Sequence, residues 1–143
     1  AWQAGQTLAI RRPNAIRPWQ HVLEPLAGYL RLAQGLWQQP SLAGAYNLGP
    51  PTDEAATVKA VIEMARSPRE MCLVSYEIDS DSPHEAGWLA LETAKARTLL
   101  GIRPRWTLRE AVHRTMDWYA AQHAGADAGA LCDADIAAYK GLS

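Results

Sequence analysis

The stretch RRPNAIRPWQHVLEPLAGYL, residues 11–30, constrains this chain more than any other. Pro18 disfavours helical geometry at Arg17, so IRPWQHV is expected to be extended. Pro25 suits the first turn of a helix, with Glu24 as a weak cap at the favourable end of the dipole. Leu23, Leu26, Leu30, Ala33 and Trp37 then recur at helical spacing, and Gln38-Gln39-Pro40 ends the run. Gly28 inside that helix costs about 1 kcal/mol against alanine, which predicts a close packing contact there. Cations, a tryptophan and a histidine are thus gathered on an extended segment just ahead of a helix.

The same reading extends along the chain. TLAIR, residues 7–11, is a short strand and RRPN a turn. AYNLGPP, 45–51, reads as a buried strand stopped by Gly-Pro-Pro. Thr57 caps a helix carrying Val58, Val61, Ile62 and Ala65 on one face. MCLVSYEI, 71–78, and WLALE, 88–92, are strands separated by a polar loop, and Thr93 caps a helix that ends near Gly101. Thr107-Leu-Arg-Glu110 is a capping box opening the longest helix, with Leu108, Ala111, Val112, Thr115 and Tyr119 in register. Residues 126–143, rich in Ala, Gly and Asp, read as a loosely held tail. The order β–α–β–α–β–β–α–α makes residues 1–143 a single mixed α/β domain.

Composition narrows the function. A length of 143 residues is about one domain, able to bury about two-thirds of its unfolded surface. With 14 basic and 15 acidic residues there is no global basic field, so nucleic acid is not an expected partner. Most of the cations are arginine, which suits planar oxyanion recognition, although base composition of the genome explains such an excess equally well. Cys72 and Cys132 form neither a CxxC pair nor a disulfide framework, so a reducing cytoplasm is the default. No apolar run is long enough to span a membrane. The N-terminal segment lacks the pattern of a signal peptide. The chain opens without methionine, which suggests a piece of something longer or a trimmed chain.

An inventory of catalytic patterns finds little. There is no GxGxxG or GxxGxxG, no Walker loop, no GxSxG and no HExxH. Tyr29, Tyr46, Tyr76, Tyr119 and Tyr139 all lack a lysine four residues on, so there is no Tyr-x-x-x-Lys pair. His21, His84, His113 and His123 have no metal-ligand spacing. The Asp79–Asp81 run lacks the glycine and closing glutamate of a calcium loop at the required offsets. What remains points to binding. Arg17, on an extended segment between two turns, is poised to meet a phosphate with a bidentate fork, or else is a structural arginine paired to carboxylate or carbonyl oxygens. Arg11 is a weaker candidate of the same kind. His84-Glu85 sits in a loop that can clamp a ligand, or serves as a capping pair. Trp19 and His21 read as core residues.

These residues also carry a resemblance. I-R-P-W-Q-H-V-L-E-P-L-x-G-Y-L, then A-Y-N-L-G-P, P-H-E-A and L-x-L-E-T-x-K-A-x-x-L-L-G-x-x-P-x-W resemble the C-terminal part of the CDP-glucose 4,6-dehydratases. Those enzymes belong to the extended short-chain dehydrogenase/reductase superfamily. The likeness runs from about residue 8 to about 123. R-x-W-x-x-V at Arg17–Val22 is a superfamily feature, whereas PWQHVLEPL and HEA point to the CDP-glucose member. Ile102 departs from the pattern, which usually has tryptophan after the glycine.

The resemblance implies a fold and a role. The chain would be the substrate-binding C-terminal lobe of an NAD(P)-binding Rossmann-like enzyme whose N-terminal Rossmann core is missing here. Arg17 would bind the diphosphate of CDP-glucose, Ala9 and Arg11 would lie beside the base, and His84 and Glu85 would make a second diphosphate contact. The family reaction takes hydride from sugar C4 onto NAD, eliminates water across C5 and C6, and returns the hydride to C6. The product, CDP-4-keto-6-deoxyglucose, feeds deoxysugar and O-antigen lipopolysaccharide synthesis. No catalytic position of that reaction maps onto this chain, and no NAD is expected to bind it alone. The implied partners are the nucleotide sugar and either the missing Rossmann domain or a second copy, docking on apolar surface of the helix from Pro25 to Trp37 and of residues 45–48. Alternatives are a free-standing nucleotide-sugar-binding or protein-interaction module, and the lobe of an epimerase or of a UDP- or GDP-linked dehydratase.

Overall fold

The computed structural model describes residues 1–66, 73–76 and 87–141. Its regular elements are β1 (Leu8–Ile10), β2 (Ile16–Arg17), α1 (Leu23–Gln38), β3 (Ala56–Thr57), α2 (Val58–Ala65), β4 (Val74–Tyr76), α3 (Ala94–Leu100), α4 (Leu108–His123) and α5 (Ala128–Lys140). This is a mixed α/β arrangement. β1 pairs in parallel with β4, in the register Leu8 to Val74 and Ile10 to Tyr76. β2 pairs antiparallel with β3, Ile16 opposite Thr57 and Arg17 opposite Ala56. On its other side, Ile16 forms a parallel bridge to Trp88.

Local chemistry sets several of these elements. Thr57 Oγ1 accepts from the Ala60 N–H at 3.1 Å and so starts α2. Thr107 and Glu110 complete a reciprocal capping box at the start of α4. Gly101 ends α3 in the left-handed region at φ 64°, where side chains other than glycine's are disfavoured. Gly28 permits the approach that its cost implied, since a Cβ there would lie 2.7 Å from Leu48 Cδ1.

Four expectations are corrected. Residues 45–50 form no strand, because no ladder partner lies beside them among the described residues. Their backbone is instead held by side chains: Lys95 Nζ donates to the Ala45 carbonyl at 2.9 Å and Gln20 Nε2 to that of Leu48 at 3.1 Å. The strand expected at 88–92 shrinks to the single bridge at Trp88. Thr93 occupies the cap position of α3 but makes no cap bond, since Glu92 Oε1 accepts from the Ala94 N–H. The segment expected to be a loose tail contains α5. Its first turn is capped by Asp127 Oδ1, 2.8 Å from the Ala130 nitrogen, and its alanines are the best helix formers.

The apolar surface expected on α1 is present: Leu26, Leu30 and Trp37 are 47%, 74% and 91% exposed. The inward side of the helix buries Glu24 and Gly28. Among the described residues the buried apolar side chains are small in number and size: Ala15, Ile62, Ala96, Leu100, Leu108 and Ala111. The accessible surface of 9798 Å² exceeds the roughly 7,300 Å² expected of a folded monomer of 15.7 kDa, an excess to which the outward face of α1 contributes. No helix among the described residues is long and apolar enough to cross a membrane.

Candidate functional site

The candidate site is built around β2. Ile16 is held along one edge by two bonds: its N–H donates to the Gly87 carbonyl at 2.9 Å, and its carbonyl accepts from the Leu89 N–H at 3.1 Å. The pairing to β3 holds the opposite edge. These bonds fix the backbone from which Arg17 projects. The half-buried Arg17 side chain donates from Nη1 to the Ile16 carbonyl at 2.8 Å. Trp19 packs half-buried, its indole N–H donating to the Ala56 carbonyl at 3.0 Å. It is a structural residue, as expected.

Ala9 lies on β1, exposed, opposite Ser75 of β4. Arg11, also exposed, follows β1 directly. The two strands carrying Ala9 and Arg17 belong to different pairs, joined by the turn in which the Ala15 N–H donates to the Arg12 carbonyl. His84 and Glu85 lie outside the described residues. Gly87, the first described residue after them, is the one bonded to the neighbour of Arg17. Among the described residues no group of histidine, cysteine, aspartate or glutamate could hold a metal ion.

A second cluster escaped the sequence reading. Glu24 is buried within α1, and both its oxygens act as acceptors. Oε1 accepts from the backbone N–H groups of Arg105, at 2.9 Å, and Trp106, at 3.0 Å. Oε2 accepts the Tyr139 hydroxyl at 2.6 Å. Glu24 is therefore not the helix cap; it ties α1 to the segment before α4 and to the end of α5. The Tyr139 ring meets Trp106 edge-on at 5.0 Å, and its carbonyl accepts from Arg105 Nη1. Burial, then the bond to Glu24, pushes the Tyr139 hydroxyl pKa far above its usual value.

His21 sits at the edge of this cluster. It is buried, its ring edge-on to Trp106 at 4.7 Å, with Nδ1 accepting from the Leu23 N–H at 3.3 Å. Burial lowers its pKa and outweighs the raising effect of Asp135 and Glu24, while Arg114 adds to the lowering. Arg114 in turn stacks over Trp106 at 4.2 Å and pairs with Asp135 at 3.7 Å. A satisfied structural histidine is what the sequence led us to expect. No local pattern announced Glu24, because its partners lie 81 to 115 residues away.

No family model matches the chain. Over 133 residues, 89% of its length, it is 37% identical to CDP-glucose 4,6-dehydratase of Salmonella typhimurium. The resemblance read from the motifs is borne out. The match covers 36% of that protein, so the chain spans about a third of the length of this relative. The likeness relates the chain to a nucleotide-sugar dehydratase.

Proposed function

We propose that this chain supplies the substrate-binding lobe of a CDP-glucose 4,6-dehydratase and is not catalytic alone. The observation that carries the reading is the 37% identity over 133 residues. Two structural features support it. Arg17 stands on a backbone fixed from both edges, as a phosphate-binding fork requires. Among the described residues the parallel β1–β4 pair has two strands, whereas parallel strands normally sit inside larger covered sheets.

In this reading Arg17 neutralises the diphosphate of a CDP-sugar, and Ala9 and Arg11 line the base side. His84 and Glu85, which lie outside the described residues, would make a second diphosphate contact. The residues of this chain do not fit NAD, since they offer neither a glycine fingerprint nor a Tyr-x-x-x-Lys pair. A dinucleotide-binding partner domain would supply the cofactor and the acid–base groups, docking on the apolar face of α1 in the cytoplasm.

The test is a CDP titration followed by chemical-shift perturbation at low salt. The wild-type chain should bind at millimolar strength at best, about −4 kcal/mol, because half the pocket walls are absent. Arg17→Ala should remove about 1.5–3 kcal/mol and with it detectable binding. Arg17→Lys should lose most of the affinity too, since a point charge cannot reproduce the fork. Arg11→Ala should cost less and blunt the preference for CDP over UDP. Identical shifts in wild type and Arg17→Ala would make Arg17 structural and refute this pocket. Formation of the 4-keto product by the chain with NAD would refute the non-catalytic role.

A further inference from the structure

A cleft that Arg17 does not line lies beside the turn that ends α3. Gly101, at φ 64° and ψ 18°, reverses the chain at the end of α3, and the Ile102 N–H returns to the Ala96 carbonyl at 3.3 Å. The reversal carries Arg103 back beside the cavity that Arg97 already borders. That cavity measures about 230 Å³, and the segment around Asn47 closes its far side.

Its lining is one-sided in charge. Arg97 and Arg103 both line it, and no acidic residue does. Among the described residues neither guanidinium makes an ion pair or a hydrogen bond. Asn47 spends one amide N–H on the Glu92 carbonyl, at 3.1 Å, which leaves its other N–H and its oxygen for a ligand. Thr93 also faces the cavity, and its hydroxyl is not used as a cap because Glu92 has taken that role. Ala96 and Ile102 give the floor an apolar character.

Two guanidinium groups bordering one cavity repel each other, and an anion between them converts that repulsion into charge-assisted hydrogen bonds. A phosphate monoester offers three terminal oxygens and up to two negative charges to the two forks, more than the two oxygens and single charge of a carboxylate. The apolar floor calls for a carbon body next to the anion. At about 230 Å³ the cavity is smaller than the roughly 300–1,000 Å³ of drug-sized sites and suits a small ligand. We propose that the cleft between the Asn47 segment and the α3 turn binds a small organic phosphate monoester, its phosphate between Arg97 and Arg103. Both arginines are exposed, so binding is salt-sensitive. The inference does not depend on the dehydratase reading.

The experiment titrates the isotope-labelled 143-residue chain with phenyl phosphate, inorganic phosphate and benzoate at fixed ionic strength. Phenyl phosphate should give saturable shifts at the Arg97 and Arg103 side-chain N–H groups and at the Ala96 and Ile102 amides. It should bind at least about fivefold tighter than either other probe, a difference of about 1 kcal/mol. The double variant Arg97→Gln/Arg103→Gln should weaken it at least about tenfold, the loss expected when charged hydrogen bonds are removed. The Lys/Lys double variant should fall between. Arg109→Gln on α4, outside the cleft lining, should leave it unchanged. Shifts that never saturate, or that survive the Gln/Gln variant, overturn the proposal. Equal affinity for phenyl and inorganic phosphate overturns the organic ligand.

Discussion

The two faces of α1 invert the usual pattern. One side buries a carboxylate, Glu24, at 6% exposure, together with Gly28. The other turns Leu26, Tyr29, Leu30 and Trp37 to the outside, with Val22 just ahead of the helix in the same line. Spacings of three, four, seven and eight residues place these side chains on a single stripe. On the inner face, long-range polar bonds replace apolar area: three donors from two distant segments converge on one carboxylate. On the outer face, apolar area is left without a cover among the described residues. The lesson is that hydrophobic periodicity locates a contact face without saying whose contact it is. Single exposed apolar residues need no explanation, but a contiguous stripe marks an interaction surface.

The sharpest way to break this comparison is at Glu24. Glu24→Ala leaves two backbone N–H groups and the Tyr139 hydroxyl without an acceptor in a buried place. At roughly 1–3 kcal/mol for each unsatisfied group, the total loss should be about 3–5 kcal/mol, read from urea unfolding. Glu24→Gln keeps an acceptor for the two N–H groups and should cost about half as much. A loss below about 1 kcal/mol for the alanine variant would show the inner face to be solvated and the contrast unreal.

Next in size is the start of α4, which leads away from the same cluster. Thr107→Ala removes the cap and should cost about 1 kcal/mol of unfolding free energy. A loss as large as that of Glu24→Ala would make local capping, not the long-range tie, the dominant anchor.

The pH dependence is smaller and its sign is fixed by His21. Its pKa in the fold lies below the ordinary 6.5 because burial disfavours the imidazolium. The histidine's contribution is complete above 6.5 and is lost as pH falls through the range beneath it. The unfolding midpoint should therefore drop between neutral pH and pH about 5, and His21→Phe should flatten that part of the profile. Trp106 fluorescence reports the change, since the two rings touch. An unchanged slope in the variant would assign the acid sensitivity to other groups.

The smallest effect on stability belongs to the outer stripe. Leu30→Lys and Trp37→Lys should change unfolding free energy by no more than about 0.5 kcal/mol, as exposed substitutions do. They should nonetheless suppress self-association of the chain, measured by light scattering at about 100 μM, because they break the exposed apolar patch. A strictly monomeric wild type under those conditions would leave the stripe to a different partner.

Much of the local structure was legible before any coordinates. Thr57, Thr107 and Gly101 act through bonds to residues a few positions away, so a threonine ahead of a periodic run, the S/T-x-x-E pattern at Thr107, or a glycine after such a run is enough to find them. Gly28 was legible as a close-packing point, though not the identity of Leu48 as its neighbour. Asp127 and the alanines after it carry a helix signal of their own, an N-cap followed by strong helix formers. Of the candidate site, the extended placement of Arg17 between two turns followed from Pro18 alone.

By itself the sequence determined what depends on near neighbours: the caps of α2 and α4, the end of α3, and the extended run into α1. The tertiary structure decided which side of α1 faces inward, that residues 45–50 are laced by side chains and not paired as a strand, and that Glu24 joins three segments. The physical reason is range. A cap or turn is a bond between residues three or four apart, fixed by their chemistry. A buried carboxylate's donors can come from anywhere along the chain, and only the folded geometry brings Tyr139 within 2.6 Å of it.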